Sequence, residues 1–285
     1  MTASVFVAGP VSWNSIVVLD RLPEPVPHMQ FAEASWETLG GTSAGKALSL
    51  TALGRPTLLY ALTAADEPGD RIRAAMAEAG VRALWGAGDA TERHLNLMTR
   101  QGGRVSLYLA SPAATDGTHD PDLHAAMSAA DVIVLDLAAE PLRLLPAARD
   151  TARPIWVDVH DYDGTADFHR PFLAAADAVF CNADRLDDPV AFLRSRVEAG
   201  ASLAVCTLGA EGAVAVDAEG SVHRISAVPV EVIDTNGAGD AFLAGVLDAR
   251  LEGADVPAAL TAGARSAASA LGTRHLHPSL DRVLG

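Results

Sequence analysis

From about residue 112 onward, short apolar runs alternate with amphipathic stretches. Val132–Leu135, Ile155–Val159, Ala178–Cys181 and Leu203–Leu208 are continuous apolar runs of strand length, the pattern of strands covered on both faces. Between and after them, Pro141–Arg149, Pro189–Glu198, Ala241–Leu251 and Val256–Leu271 carry helical periodicity. Such alternation predicts βαβ units around a mostly parallel sheet. Residues 213–225 alternate around Glu219-Gly220 and predict a hairpin. Near the start, Phe6-Val7-Ala8-Gly9 reads as a buried strand ending in glycine.

Two regions break this rhythm. Residues 11–37, and residues 92–111 with Val105–Leu109 following Gly102-Gly103, alternate apolar and polar positions. They read as strands lying apart from the βα repeats, with one face wet.

Length and charge narrow the class further. A chain of 285 residues with 49% apolar composition can bury one large core, and no low-complexity linker divides it. One domain spanning 1–285 is expected. A net charge of −15 argues against nucleic acid or an anionic membrane as partner, since both demand basic patches. No run approaches the ~20 apolar residues that span a bilayer, and no basic stretch with an apolar core opens the chain, so a cytoplasmic protein is expected. Cys181 and Cys206 sit in apolar runs without metal-ligand spacing and read as buried core residues.

The chemistry concentrates in Asp234-Thr235-Asn236-Gly237-Ala238-Gly239-Asp240, directly before an apolar helical segment. Glycines there permit a tight backbone whose unpaired N–H groups, with the helix dipole, make a site for anions. A carboxylate held beside such donors can take a proton from a hydroxyl that attacks a phosphoryl group.

This seven-residue string resembles the C-terminal signature of the ribokinase/PfkB family of carbohydrate kinases. Further matches follow in the family's order: Val17–Pro23, Leu39–Leu48 with its di-glycine, the turn Ala65–Asp70, and Cys206–Gly212. The resemblance implies a ribokinase-like three-layer α/β fold with a small β lid built from the two irregular regions, a lid that also serves as a homodimer interface. It implies ATP and Mg²⁺, a small sugar or nucleoside acceptor, and admits an activating monovalent cation such as K⁺ near Asp234. Asp240 would be the general base, with the amides of Gly237, Ala238 and Gly239 stabilising the transferred phosphoryl group. Thr207, Gly209, Gly212, Asn182 and Thr235 would serve the nucleotide, and Asn14, Gly40, Gly41 and Gly45 the acceptor. No metal ligand is assigned.

Several positions depart from the family pattern. Arg185 stands where a glutamate that orders magnesium is expected after Asn182, with Asp184 and Asp187 nearby. Asn14 replaces an aspartate and Gly45 an asparagine, so the acceptor is expected to differ from ribose. Few basic residues fall in the acceptor segments, which disfavours a sugar phosphate.

Lys46, near a predicted helix start, reads as a solvated surface residue. His160, Asp161 and Asp163 read as a solvated loop, and Trp13 and Trp36 as either sugar-stacking or packing residues. Two other readings stand beside the kinase. Gly40–Lys46 fits most of a P-loop and Val132–Asp136 a matching acidic strand, but Ala47 cannot ligate metal and Ala34–Leu39 makes a poor buried strand. A catalytically idle, ligand-binding relative would suit the losses at 14, 45 and 185, but would not need Asp240.

Overall fold

The computed structural model describes residues 2–285. In chain order, β1 (Val5–Ala8), β2 (Ser12–Leu19) and β3 (Ala34–Gly40) precede α1 (Thr42–Ala52), β4 (Thr57–Thr63), α2 (Glu67–Glu78) and β5 (Arg82–Ala87). Next come β6 (Glu92–Thr99), β7 (Arg104–Ala110), α3 (Asp120–Ala129), β8 (Val132–Asp136), α4 (Ala139–Asp150) and β9 (Ile155–Asp158). The remainder comprises α5 (Arg170–Ala175), β10 (Ala178–Asn182), α6 (Pro189–Glu198), β11 (Leu203–Thr207), β12 (Ala213–Asp217), β13 (Val222–Ile225), α7 (Ala238–Leu251) and α8 (Val256–Leu271).

Nine strands form one sheet in the order β13-β12-β11-β10-β9-β8-β1-β4-β5, parallel except for the hairpin pairs at β12 and β13. Its central strands are buried throughout because helices cover both faces. The core residues of α1, α2, α7 and α8 lie on one face, and those of α3 to α6 on the other. The continuous apolar runs of β8, β9, β10 and β11 are thus the direct consequence of double coverage. β1 is flanked by β4 and β8, so successive connections leave it in opposite directions. That reversal opens a crevice at the carboxyl ends of β1, β8 and β9, the ordinary ligand site of such sheets.

The two irregular regions assemble as a second, four-stranded sheet in the order β3-β2-β6-β7. β3 runs beyond residue 37 and ends at Gly40, so the di-glycine closes a strand of the small sheet. Its first four residues are wholly or partly exposed and its last three are buried, which explains why Ala34–Leu39 reads poorly as a core strand. No helix among the described residues is long and apolar enough to cross a membrane.

α7 is fixed in place chiefly by close contact with α1 and α8. A Cβ at Gly245 would lie 2.9 Å from Gly263 Cα, and one at Gly263 would meet the Phe242 carbonyl oxygen at 2.8 Å. Neither helix can approach this closely with larger residues. Gly263→Val should therefore cost ~1–3 kcal/mol and lower Tm by several degrees, read by thermal unfolding. Gly272→Ala, where the new Cβ meets nothing nearer than 3.6 Å, should leave Tm nearly unchanged.

Candidate active site

Two strand ends and the start of one helix converge beside the small sheet. β8 and β9 each end in an aspartate, Asp136 and Asp158, delivered to the same edge because the strands are in register, Asp136 opposite Asp158. From the opposite side, Gly237 adopts a left-handed conformation (φ 79°) that turns the chain into α7, placing Asp240 in its first turn. A Cβ at Gly237 would fall 2.7 Å from the Leu276 carbonyl oxygen, so the turn is closed against the C-terminal segment and admits only glycine without strain.

The turn is held by Asp234, whose Oδ1 accepts from the Asn236 amide at 2.9 Å and from its side-chain Nδ2 at 2.8 Å. No side chain caps α7. Its first amides, which helix geometry leaves without partners, are left open beside the cleft. The small sheet reaches this turn directly: Arg104 of β7 donates to Asn236 Oδ1 at 3.2 Å.

At the floor lies Lys46, fully buried in the second turn of α1. Its Nζ sits 2.7 Å from Asp240 Oδ1, 2.9 Å from Asp136 Oδ1 and 3.3 Å from Asp158 Oδ2. Only the contact with Asp240 has the direction of a hydrogen bond. Asp136 is further held by the Ser43 hydroxyl, which donates to Oδ2 at 2.7 Å. The lysine expected at the surface is therefore a core residue. Residues 43–50 of α1 are buried on every side, so the ammonium has no route to water and is stabilised only by the carboxylates around it.

Burial pushes the Asp240 carboxyl up to about 6; the Lys46 ammonium opposes that push, and Asp136 and Asp158 add to it. Asp158 moves the other way: burial raises it, but His160 and Lys46 together hold it below the ordinary carboxylate range. The ammonium itself is held well above the ordinary lysine range: burial opposes its charge, but the three carboxylates outweigh burial. Within the cluster, Asp240 and Asp158 are thus pushed in opposite directions, Asp240 toward holding its proton and Asp158 toward its anionic form.

Above the cluster opens a cleft of about 910 Å³. That is at the upper end of small-molecule sites and has room for two ligands side by side. Asn14, Thr38, Gly40, Gly41, His94, Asn96 and Tyr108 line it from the side of the small sheet. Asn182, Asp184, Thr207 and residues 234–237 line it from the large sheet and the signature turn, and His160 and Asp161 lie between. Asn14 Oδ1 and Asn96 Oδ1 are sealed from water with no protein partner, an unsatisfied state that ordinarily calls for a ligand or an ordered water.

A model of the pfkB family of carbohydrate kinases, the pfkB family carbohydrate kinase model, matches residues 18–281. The chain belongs to that family. It is 32% identical to the acarbose 7(IV)-phosphotransferase of an Actinoplanes species over 272 residues, covering 93% of this chain and 91% of that one. Among solved structures it resembles a microbiome-derived acarbose kinase, Mak1, with a TM-score of 0.84 and 30% identity over 100% of this chain and 99% of the other. A ribokinase of Arabidopsis thaliana complexed with ribose and ATP matches in fold, with a TM-score of 0.76 at 18% identity over 100% and 99% of the chains. This pfkB member is accordingly a sugar kinase, a phosphotransferase with the ribokinase-like fold.

Within this kinase the P-loop reading has no geometric basis. Lys46 is bound by three carboxylates and does not face open space, and β3 belongs to the small sheet. Of the residues singled out from the sequence, Asp240, Gly237, Gly239, Thr235, Thr207, Asn182, Asn14, Gly40 and Gly41 share the cleft lining. Ala238 follows Gly237 as the first helical residue. Gly45 lies underneath, where its missing side chain leaves room for Asp240. Gly209 and Gly212 sit in the turn after β11, away from the lining, and the amide of Leu208 donates to the Gly212 carbonyl at 2.8 Å to close that turn. His160 and Asp161, expected in a solvated loop, reach the cleft, whereas half-buried Asp163 caps the turn at Thr165. Trp13 packs beneath the Arg71 guanidinium, 5.5 Å from its ring centroid, and neither Trp13 nor Trp36 lines the cleft.

Asp136, Asp158 and the buried state of Lys46 are the features sequence reading missed. The signals were present: two core strands each ending in aspartate, and a lone charge in an otherwise uncharged helix.

The raised Asp240 carboxyl has a consequence for stability. It binds its proton more tightly folded than unfolded, so its contribution is present at acid pH and is lost as pH rises through about 6. Asp240→Asn should therefore stabilise the fold at pH 7.5, by on the order of 1–3 kcal/mol, and the gain should vanish near pH 4. Denaturant titrations at the two pH values check this.

Proposed function

We propose that this protein transfers the γ-phosphoryl group of ATP to a hydroxyl of a small sugar or sugar-like acceptor. The observation that carries the reading is Asp240, a carboxylate raised toward neutrality at the floor of the cleft and in the same helical turn as the uncapped amides of α7. Asp240 takes the proton of the acceptor hydroxyl as it attacks. The amides at 237–239 receive the charge that develops on the transferred group, already oriented and costing no rearrangement. Positioning and electrostatics then supply most of the rate.

The acceptor binds under the small sheet, where Asn14, Thr38, His94 and Asn96 line the cleft with polar groups that suit a polyol's hydroxyls. The acarbose kinases among the relatives favour acarbose or another sugar-like acceptor over a nucleoside. Closure of that sheet onto the signature turn through Arg104 and Asn236 keeps water from competing for the phosphoryl group.

The nucleotide occupies the side of Thr207, Asn182 and Thr235. The donor set there fits a magnesium-bound triphosphate. Asp184 lies on the lining without an ion pair among the described residues, while Arg185, in place of the family glutamate, turns to Asp163 at 3.8 Å. Asn182 and Asp184 would hold the Mg²⁺, which neutralises phosphate charge when bound.

The outer face of β7, with Val105, Leu107 and Leu109 exposed, supports a homodimer through the small sheet. In light scattering Leu107→Glu should then be monomeric where the parent is dimeric.

A coupled ADP-release assay across mono- and oligosaccharides, acarbose and nucleosides tests the kinase reading. Turnover should need one sugar-like acceptor, and Asp240→Asn should lose at least ~10² in kcat while still binding that acceptor. Because the base must be ionised, kcat/KM should fall as pH drops below about 6. Near-normal turnover by Asp240→Asn would overturn the assignment.

A further inference from the structure

Lys46 and Gly45 are neighbours in α1, and both act on Asp240. A Cβ built on Gly45 would lie 2.7 Å from Asp240 Oδ2, 2.8 Å from its Cβ and 3.0 Å from its Cγ. Any other residue at 45, including the asparagine expected there, would displace the carboxylate from where it stands. The vacated space lets Asp240 lean over α1 and bring Oδ1 to 2.7 Å from the Lys46 ammonium. Oδ2 accepts no hydrogen bond from the protein, yet is not among the sealed, unpartnered atoms, so it is the oxygen that opens to the cleft.

Charge makes the pairing obligatory. The groups facing Asp240 are Lys46 of α1, Asp136 of β8 and Asp158 of β9, with His160 Nδ1 behind Asp158 at 3.5 Å. With all carboxylates ionised the knot carries −2, and without the ammonium it would carry −3 in a buried site. Such an accumulation is relieved by protonation of one carboxyl. Asp158 accepts from the His160 amide at 3.0 Å and Asp136 from the Ser43 hydroxyl at 2.7 Å, so the proton falls to Asp240, which can then no longer accept the acceptor's proton.

We propose that Lys46 is the positioning residue of phosphoryl transfer and that Gly45 is its necessary companion: the ammonium fixes Oδ1 and keeps Asp240 ionised, leaving Oδ2 as the proton-accepting oxygen. The proposal rests on the kinase reading for its catalytic part only; the electrostatic clamp is a property of the protein alone.

The test separates the two. Lys46→Gln and the charge-preserving Lys46→Arg are compared with the parent, first by ¹³C NMR titration of aspartate carboxyls in the ligand-free protein, with Asp240 assigned by its loss in Asp240→Asn. The pH dependence of ADP release follows. In Lys46→Gln the Asp240 midpoint should move up by at least about one pH unit, and the acid limb of kcat/KM should move with it. Turnover at pH 7 should fall at least ~10-fold and recover in part by pH 9, with KM changing much less than kcat. Lys46→Arg should keep the parental midpoint. Gly45→Ala should lower kcat while the fold persists. A shifted midpoint with no turnover from any protein or acceptor would overturn the kinase reading and leave the clamp intact. An unmoved Asp240 midpoint in Lys46→Gln, or activity lost equally at every pH, would overturn the proposal and reduce Lys46 to a packing role.

Discussion

One ammonium group ties the molecule's working parts together. Lys46 issues from α1 and contacts carboxylates from β8, β9 and α7, elements separated by as many as 194 residues in sequence. Burying a lysine is costly unless its charge is matched, and here three carboxylates more than match it. Burial, with the excess negative charge adding to it, is unfavourable for the ionised fold and useful for the site, because together they raise the Asp240 carboxyl. Removing the lysine would leave an uncompensated cluster, the situation in which buried ion pairs are most costly to break.

Around that knot, close backbone approach does what side chains do elsewhere. Gly237 turns the chain into α7 against the C-terminal segment, Gly45 makes room for Asp240, and Gly245 with Gly263 seats α7 against α8. Each replaces a side chain by proximity, so Asp240 is aimed by the packing of a whole helix. The small sheet completes the enclosure from above, and its contact through Arg104 with Asn236 joins the acceptor side of the cleft to the anion-binding turn. A site that relies on preorganised amides needs such rigidity.

Much of this was legible in the sequence, and the parts that were not share a cause. The strands β8 to β11 announced themselves because coverage on both faces leaves uninterrupted apolar runs, and α6 and α8 because one face of each meets the core. The signature at 234–240 was readable because its chemistry is local: glycines, an Asx turn and a carboxylate in seven residues. Lys46 was misread because local context cannot reveal that Asp136 and Asp158 arrive beside it from strands about ninety and a hundred and ten residues away. β3 runs past the expected residue 37 to Gly40 because its first half is partly solvated and its last residues are core. Gly209 and Gly212, read as phosphate-approach glycines, form the turn into β12. In each case long-range geometry decided what local propensity could not.

The central claim is that Asp240, held by Lys46, faces the reacting hydroxyl. The measurement that tests it most directly is a crystal structure with a turned-over acceptor and a non-hydrolysable ATP analogue bound together. The account predicts the acceptor hydroxyl within hydrogen-bond distance of Asp240 Oδ2, in line with the γ-phosphorus, and the ammonium still on Oδ1. A hydroxyl bound elsewhere, or Lys46 released from the carboxylates to hold a phosphate, would contradict it.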